Sequence, residues 1–121
     1  MRPEKLYLTD IVEACKSIEQ FCDGVAFDQF RDDDMRRSAV LQKLIVIGEA
    51  VAHLPDEFMN RHPEIPWVDV IDFRNFAVHE YFSVKWDIVW LTATEEVPVL
   101  HYQVETILKG SIKIDKAAYR L

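Results

Sequence analysis

Apolar residues recur at three- and four-residue spacing along most of this chain, and that period commits it to helices packed on one another. From Pro3 to Cys22 they fall at Leu8, Ile11, Val12, Cys15, Ile18, Phe21 and Cys22, the stripe of a one-faced helix that Asp23-Gly24 stops. A second stripe, Val40, Leu41, Leu44, Ile45, Ile47, Gly48 and Val51, predicts a helix over about Asp34 to Leu54. Gly48 inside it costs stability relative to alanine and is read as marking a close helix contact. Pro66 opens a third helix, Trp67 to about Phe82, with Asp69 and Asp72 placed near its start as the helix dipole favours. The last helix is expected from about Trp86 to Lys109, with Gly110 as its stop.

The connectors add little besides short helical turns, one within Phe27 to Asp34 and one over Asp56 to Arg61. Alternation of period two is missing, except that S-I-K-I-D at 111–115 would suit one short strand with nothing to pair with. Only 3 Gly and 5 Pro argue against an all-β fold, which needs many tight turns. The expected architecture is therefore all-α, an up-and-down four-helix bundle with short extra helical turns in its connectors. A chain of 121 residues holds one such core, set at residues 1–110, followed by a basic tail at 111–121.

A net charge of -7 excludes a general nucleic-acid coat, since non-specific affinity comes from neutralising phosphates. No DNA partner is expected, and a role on RNA would have to come from a local site. Near the C-terminus Lys109, Lys113, Lys116 and Arg120 face a single acid, Asp115, which reads as a solubilising end before it reads as a docking strip. Cys15 and Cys22, seven apart on one helix, lie about 10 Å apart, too far for a disulfide. With no apolar leader in M-R-P-E-K-L-Y-L-T-D and no apolar run of about 20 residues, the expected location is the cytoplasm, away from membrane.

Chemistry concentrates in D-F-R-N-F-A-V-H-E-Y-F, Asp72 to Phe82. Asn75 and His79 share a helical face, as would Arg74 and Tyr81, whereas Arg74 and His79 stand about 140° apart. One straight helix does not aim both at one atom. A two-fold pairing of two copies would, giving a groove with two arginines and two histidines. Arginine grips phosphate with a forked set of donors, and histidine moves protons near neutrality. Cutting RNA needs a base for the 2′-hydroxyl, an acid for the 5′-oxygen and positive charge on the phosphate. That set is complete without metal or cofactor. The competing reading is a partly buried ion-pair network of Arg74 and His79 with Asp72, Glu80 and Glu49.

Glu49, in I-G-E-A, is placed either to hold Arg74 across the bundle or as a solvated helical acid. Trp67, Phe73, Phe76, Phe82, Trp86 and Trp90 would stack on bases, but at helical spacing they suit the core or a dimer interface better. His53, His62 and His101 lack the paired spacing of a metal site; His101 with Glu105 offers two ligands at most.

Taken together, L-I-V-I-G-E-A-V (Leu44 to Val51), R-H-P-E-I-P-W (Arg61 to Trp67), R-N-F-A-V-H-E-Y-F (Arg74 to Phe82) and W-D-I-V-W (Trp86 to Trp90) resemble, in order, the DUF86 branch of the HEPN superfamily, the HepT-like proteins. The resemblance implies a dimerising helical bundle and a metal-independent endoribonuclease toxin. It makes Arg74 and His79 catalytic, with Asn75 as the polar residue that orients them. It further implies an MNT-type nucleotidyltransferase antitoxin that attaches AMP to Tyr81. The expected partners are thus RNA, that antitoxin and a second copy of the chain, with higher assembly left open. The alternative function is a non-catalytic, nucleotide- or partner-binding regulatory subunit of a nucleotidyltransferase, with Arg74 holding a nucleotide phosphate.

Overall fold

A computed structural model describes residues 2–118 of the chain, with side chains as far as Gly110. Helix α1, Glu4–Cys22, begins after Pro3 and turns Leu8, Ile11, Val12, Ala14, Cys15 and Ile18 inward. It ends at Asp23-Gly24, where Gly24 takes a φ of 69°, left-handed backbone that glycine adopts without a Cβ clash. The short helix α2, Phe27–Asp32, is closed at its start by the Ala26 N–H donating to Gln29 Oε1 at 2.9 Å. Helix α3, Asp34–Ala52, follows at once. The Asp33 carboxylate accepts the Arg36 backbone N–H at 3.1 Å, an N-cap that satisfies a donor no helical carbonyl can reach.

Pro55 precedes the single turn α4, Asp56–Asn60, and Pro66 precedes α5, Trp67–His79. The proline-rich connector between them is pinned by the Trp67 indole N–H on the His62 carbonyl at 3.0 Å. Helix α6, Trp86–Leu91, runs through a wider π turn at Thr92–Glu96 into α7, Val97–Ala118. The four long helical rods α1, α3, α5 and α6–α7 form the expected bundle, with α1 packed on α3 and α7, and α3 on α5. Phe30, fully buried, plugs α2 onto α6 with its ring 5.0 Å from Trp90 and 6.4 Å from Trp86. Among the described residues no helix is long and apolar enough to cross a membrane.

Three boundaries differ from the expectation. The helix expected to reach Phe82 ends at His79, where Glu80 leaves helical backbone (φ −124°, ψ 44°) and Tyr81–Ser83 forms a tight 3₁₀ turn. The last helix is not one regular α-helix. Pro98 has no N–H for the Thr94 carbonyl and its ring crowds that oxygen, so the chain widens into the π turn just before it. Gly110 does not stop α7, since glycine ends a helix by turning left-handed and here its backbone stays helical. Helix therefore also covers 111–115, where a strand was considered. The proposed tail's last residues, 119–121, lie outside the described residues.

Candidate active site

Helix α5 carries apolar side chains on all sides, and the stripe it turns to the core is Trp67, Val70, Arg74 and Ala77, three and four apart. Arg74 is the charged member of that stripe. Its stem lies on Gly48 of α3, and its Nη1 donates to Glu49 Oε1 at 2.8 Å. The Arg74 side chain is 21% exposed against 49% for Glu49, so the pair straddles the boundary between core and solvent. Among the described residues the buried Arg74 Nε has no hydrogen-bond partner. Of the two readings open for Glu49, the contact with Arg74 is the one present.

Asn75 and His79 lie on the outward side of the same helix, both exposed, as their four-residue spacing requires. Among the described residues the His79 ring makes no hydrogen bond or ion pair, and nothing joins it to Arg74, Asp72 or Glu80. The competing ion-pair network is therefore reduced to the Arg74–Glu49 pair. The separation of Arg74 and His79 matches their angle on an ideal helix.

Tyr81 departs from expectation. Counting on through a continuous helix put it on the face of Arg74, but α5 ends two residues earlier and that angular count no longer applies. Tyr81 stands in the 3₁₀ turn, 45% exposed, its ring edge-on to Phe82 at 5.5 Å. Phe82 is wholly exposed, and Phe76 and Val78 nearly half so. Of the aromatic residues singled out, Trp67 is buried and Phe73, Trp86 and Trp90 pack against the core, which leaves Phe76 and Phe82 at the surface. Phe82, expected in the core or at a dimer interface, lies at the surface just past the end of α5.

The remaining histidines are structural. His101 sits between Glu19, 2.9 Å from Nδ1, and Glu105, 3.0 Å from Nε2, so the carboxylates lie on opposite sides of the ring and share no point. His53 stacks on Tyr7 at 5.1 Å with Nδ1 2.8 Å from the Glu49 carbonyl oxygen. His62 packs on Phe58, ring centroids 4.9 Å apart. Both cysteines are free, and burial pushes the Cys15 thiol up to about 12, leaving it an inert core group and no nucleophile.

This arrangement, an arginine docked on α3 and an exposed histidine five residues on, sits inside a longer sequence match. The family described as ribonuclease HepT-like matches residues 11–107. The chain belongs to the HepT-like ribonuclease family. A protein named "Probable ribonuclease HepT" from Thermococcus cleftensis is 38% identical over 108 residues, covering 89% of this chain and 98% of that one. Two more relatives carry provisional RNase names. One, from Caldanaerobacter subterraneus subsp. tengcongensis, is 36% identical over 90% of this chain and 97% of its own. The other, from Methanocaldococcus jannaschii, is 36% identical over 87% of each. No solved structure matches this HepT-like chain.

Proposed function

We propose that this HepT-like chain is a metal-independent endoribonuclease, the toxin of a toxin–antitoxin pair, and that it works as a homodimer whose groove is lined by Arg74 and His79 of both copies. The observation that carries the reading is their separation on α5, with Arg74 docked inward on α3 and His79 free and outward. One chain thus keeps the phosphate-binding cation and the proton carrier apart, and a two-fold pairing of α5 with its mate supplies each from a different copy. The exposed apolar groups Val68, Phe76 and Val78 on α5, with Phe82 just beyond, suit burial in that pairing.

In the groove one His79 ring takes the proton of the RNA 2′-hydroxyl, and the freed oxygen attacks the adjacent phosphorus. The other His79 gives a proton to the departing 5′-oxygen, so the products are a 2′,3′-cyclic phosphate and a 5′-hydroxyl. Arg74 holds the non-bridging phosphate oxygens. Asn75, one turn before His79, orients the ring and the backbone beside it.

Control is exerted at Tyr81 by an MNT-type nucleotidyltransferase. The Tyr81 Oη attacks the α-phosphorus of ATP, an ester bond to AMP forms, pyrophosphate leaves, and the phenol proton passes to the transferase. The added charge and bulk then close the groove to RNA.

The catalytic reading is tested with His79→Ala and Arg74→Ala on a labelled single-stranded RNA. Each is expected to lower cleavage about a hundredfold or more with helical circular dichroism unchanged. Cleavage should persist in EDTA and stop when the 2′-hydroxyl at the cut site is removed. A reaction that EDTA abolishes, or that survives both substitutions, overturns the proposal.

A further inference from the structure

At Gly48 helix α5 leaves no room for a side chain on α3. A Cβ there would lie 2.2 Å from the Arg74 Cβ, 2.7 Å from its Cγ and 3.3 Å from the Val70 carbonyl oxygen. The other two glycines have nothing within 4 Å of the same point, so the tightness is particular to this crossing. The next residue, Glu49, holds Arg74 Nη1 at 2.8 Å, and among the described residues the buried Arg74 Nε has no partner. A glycine inside a helix and an unpaired buried donor both cost stability. Two such costs meeting at one arginine are accounted for by where they put its guanidinium.

We propose that Gly48 is a positioning residue for RNA cleavage: by letting α3 and α5 touch at Arg74, it brings Glu49 within reach and fixes the guanidinium in one orientation toward the scissile phosphate. The inference rests on the reading of Arg74 as the phosphate-binding group. Any larger residue at position 48 pushes α5 away by roughly 1–2 Å before carbon–carbon contacts become normal. A guanidinium displaced that far still attracts RNA by its charge. It no longer meets the charge that develops at the phosphate in the transition state, so kcat suffers more than KM.

The test compares Gly48→Ala and Glu49→Ala with the parent on a fluorophore–quencher single-stranded RNA. Nitrogen-15 NMR of the arginine side chains is recorded on the same samples. In the parent the Arg74 Nε–H signal, assigned by its loss in Arg74→Lys, exchanges slowly with water because the atom is buried. Both variants are expected to lose that protection and to lower kcat about tenfold or more while KM stays within about threefold. Loss of folded protein would also speed exchange and lower apparent kcat at constant KM, so both variants are assayed where circular dichroism shows them fully folded, with the backbone amides of α1 as the exchange control. Parent-like kcat or a retained slow signal in Gly48→Ala overturns the proposal. Should Gly48→Ala not fold, the exposed Glu49→Ala decides by the same two readings. Cleavage that survives in Arg74→Ala would instead sink the role of Arg74 itself. An inactive Arg74→Ala beside a fully active Gly48→Ala would sink only the role of Gly48.

Discussion

Arg74 occupies a place where the pattern around it calls for an apolar side chain. Trp67, Val70 and Ala77 share its stripe; its Nη1 donates to Glu49 at 2.8 Å, while its buried Nε, without a partner among the described residues, costs about 1–3 kcal/mol. Tyr81 shows the opposite situation, a half-exposed side chain whose ring meets Phe82 edge-on. With the cognate nucleotidyltransferase and ATP, the parent chain is expected to gain one or more AMP units by intact mass and to lose cleavage. Tyr81→Phe should keep at least part of the cleavage and escape both effects, since it keeps the ring and lacks the nucleophile. A Tyr81→Phe chain that is labelled and silenced like the parent would place the acceptor elsewhere. The residue types of this site were readable in D-F-R-N-F-A-V-H-E-Y-F, but their directions were not. Apolar residues surround α5, so periodicity gave the angle from Arg74 to His79 without saying which of them met α3. The charged residue on the Trp67–Ala77 stripe was the clue, and it becomes visible only once the packing partner of α5 is known.

Among the elements, the six-residue helix α2 buries a single large side chain, Phe30. That ring closes the end of the bundle against Trp86 and Trp90, and Arg37 lies over the Trp86 ring at 4.9 Å to extend the stack. Phe30→Ala is expected to destabilise the chain by about 3–5 kcal/mol in chemical denaturation, with α2 detached from α6. A loss below about 1 kcal/mol would show that the α2–α6 contact is dispensable. Helix α1 was legible because it has a continuous one-sided stripe and the Asp23-Gly24 stop, and α3 because apolar residues recur at three- and four-residue spacing from Val40 to Val51. The break between α6 and α7 was missed although V-P-V was in plain view, because apolar spacing runs across Pro98 without a gap. Gly110 misled for a related reason: composition marks where a left-handed turn is easy, and the backbone decides whether one is made.

For the whole molecule, the proposed function turns on whether two copies act together. Light scattering is expected to give twice the chain mass at assay concentration, and Phe76→Asp, which puts a charge into the proposed seam, should raise the dissociation constant at least about tenfold and lower cleavage in step. A strict monomer that still cleaves RNA would remove the basis for the shared groove. The bundle itself was readable from the sequence; the two-fold pairing was expected there from the angle between Arg74 and His79, but not the surface that would serve it, since an exposed Phe82 and a buried one are written with the same letter. In the proposed dimer, placing Arg74 and His79 on different sides of α5 would also set a dose response. When two chains must meet before either can act, the number of working sites at low abundance rises with the square of the amount made. On the toxin reading proposed above, slow leakage from the gene would then do little harm, while a modest surplus would cross steeply into damage, so a cell carrying this chain would tolerate expression noise that a one-chain nuclease would turn into injury.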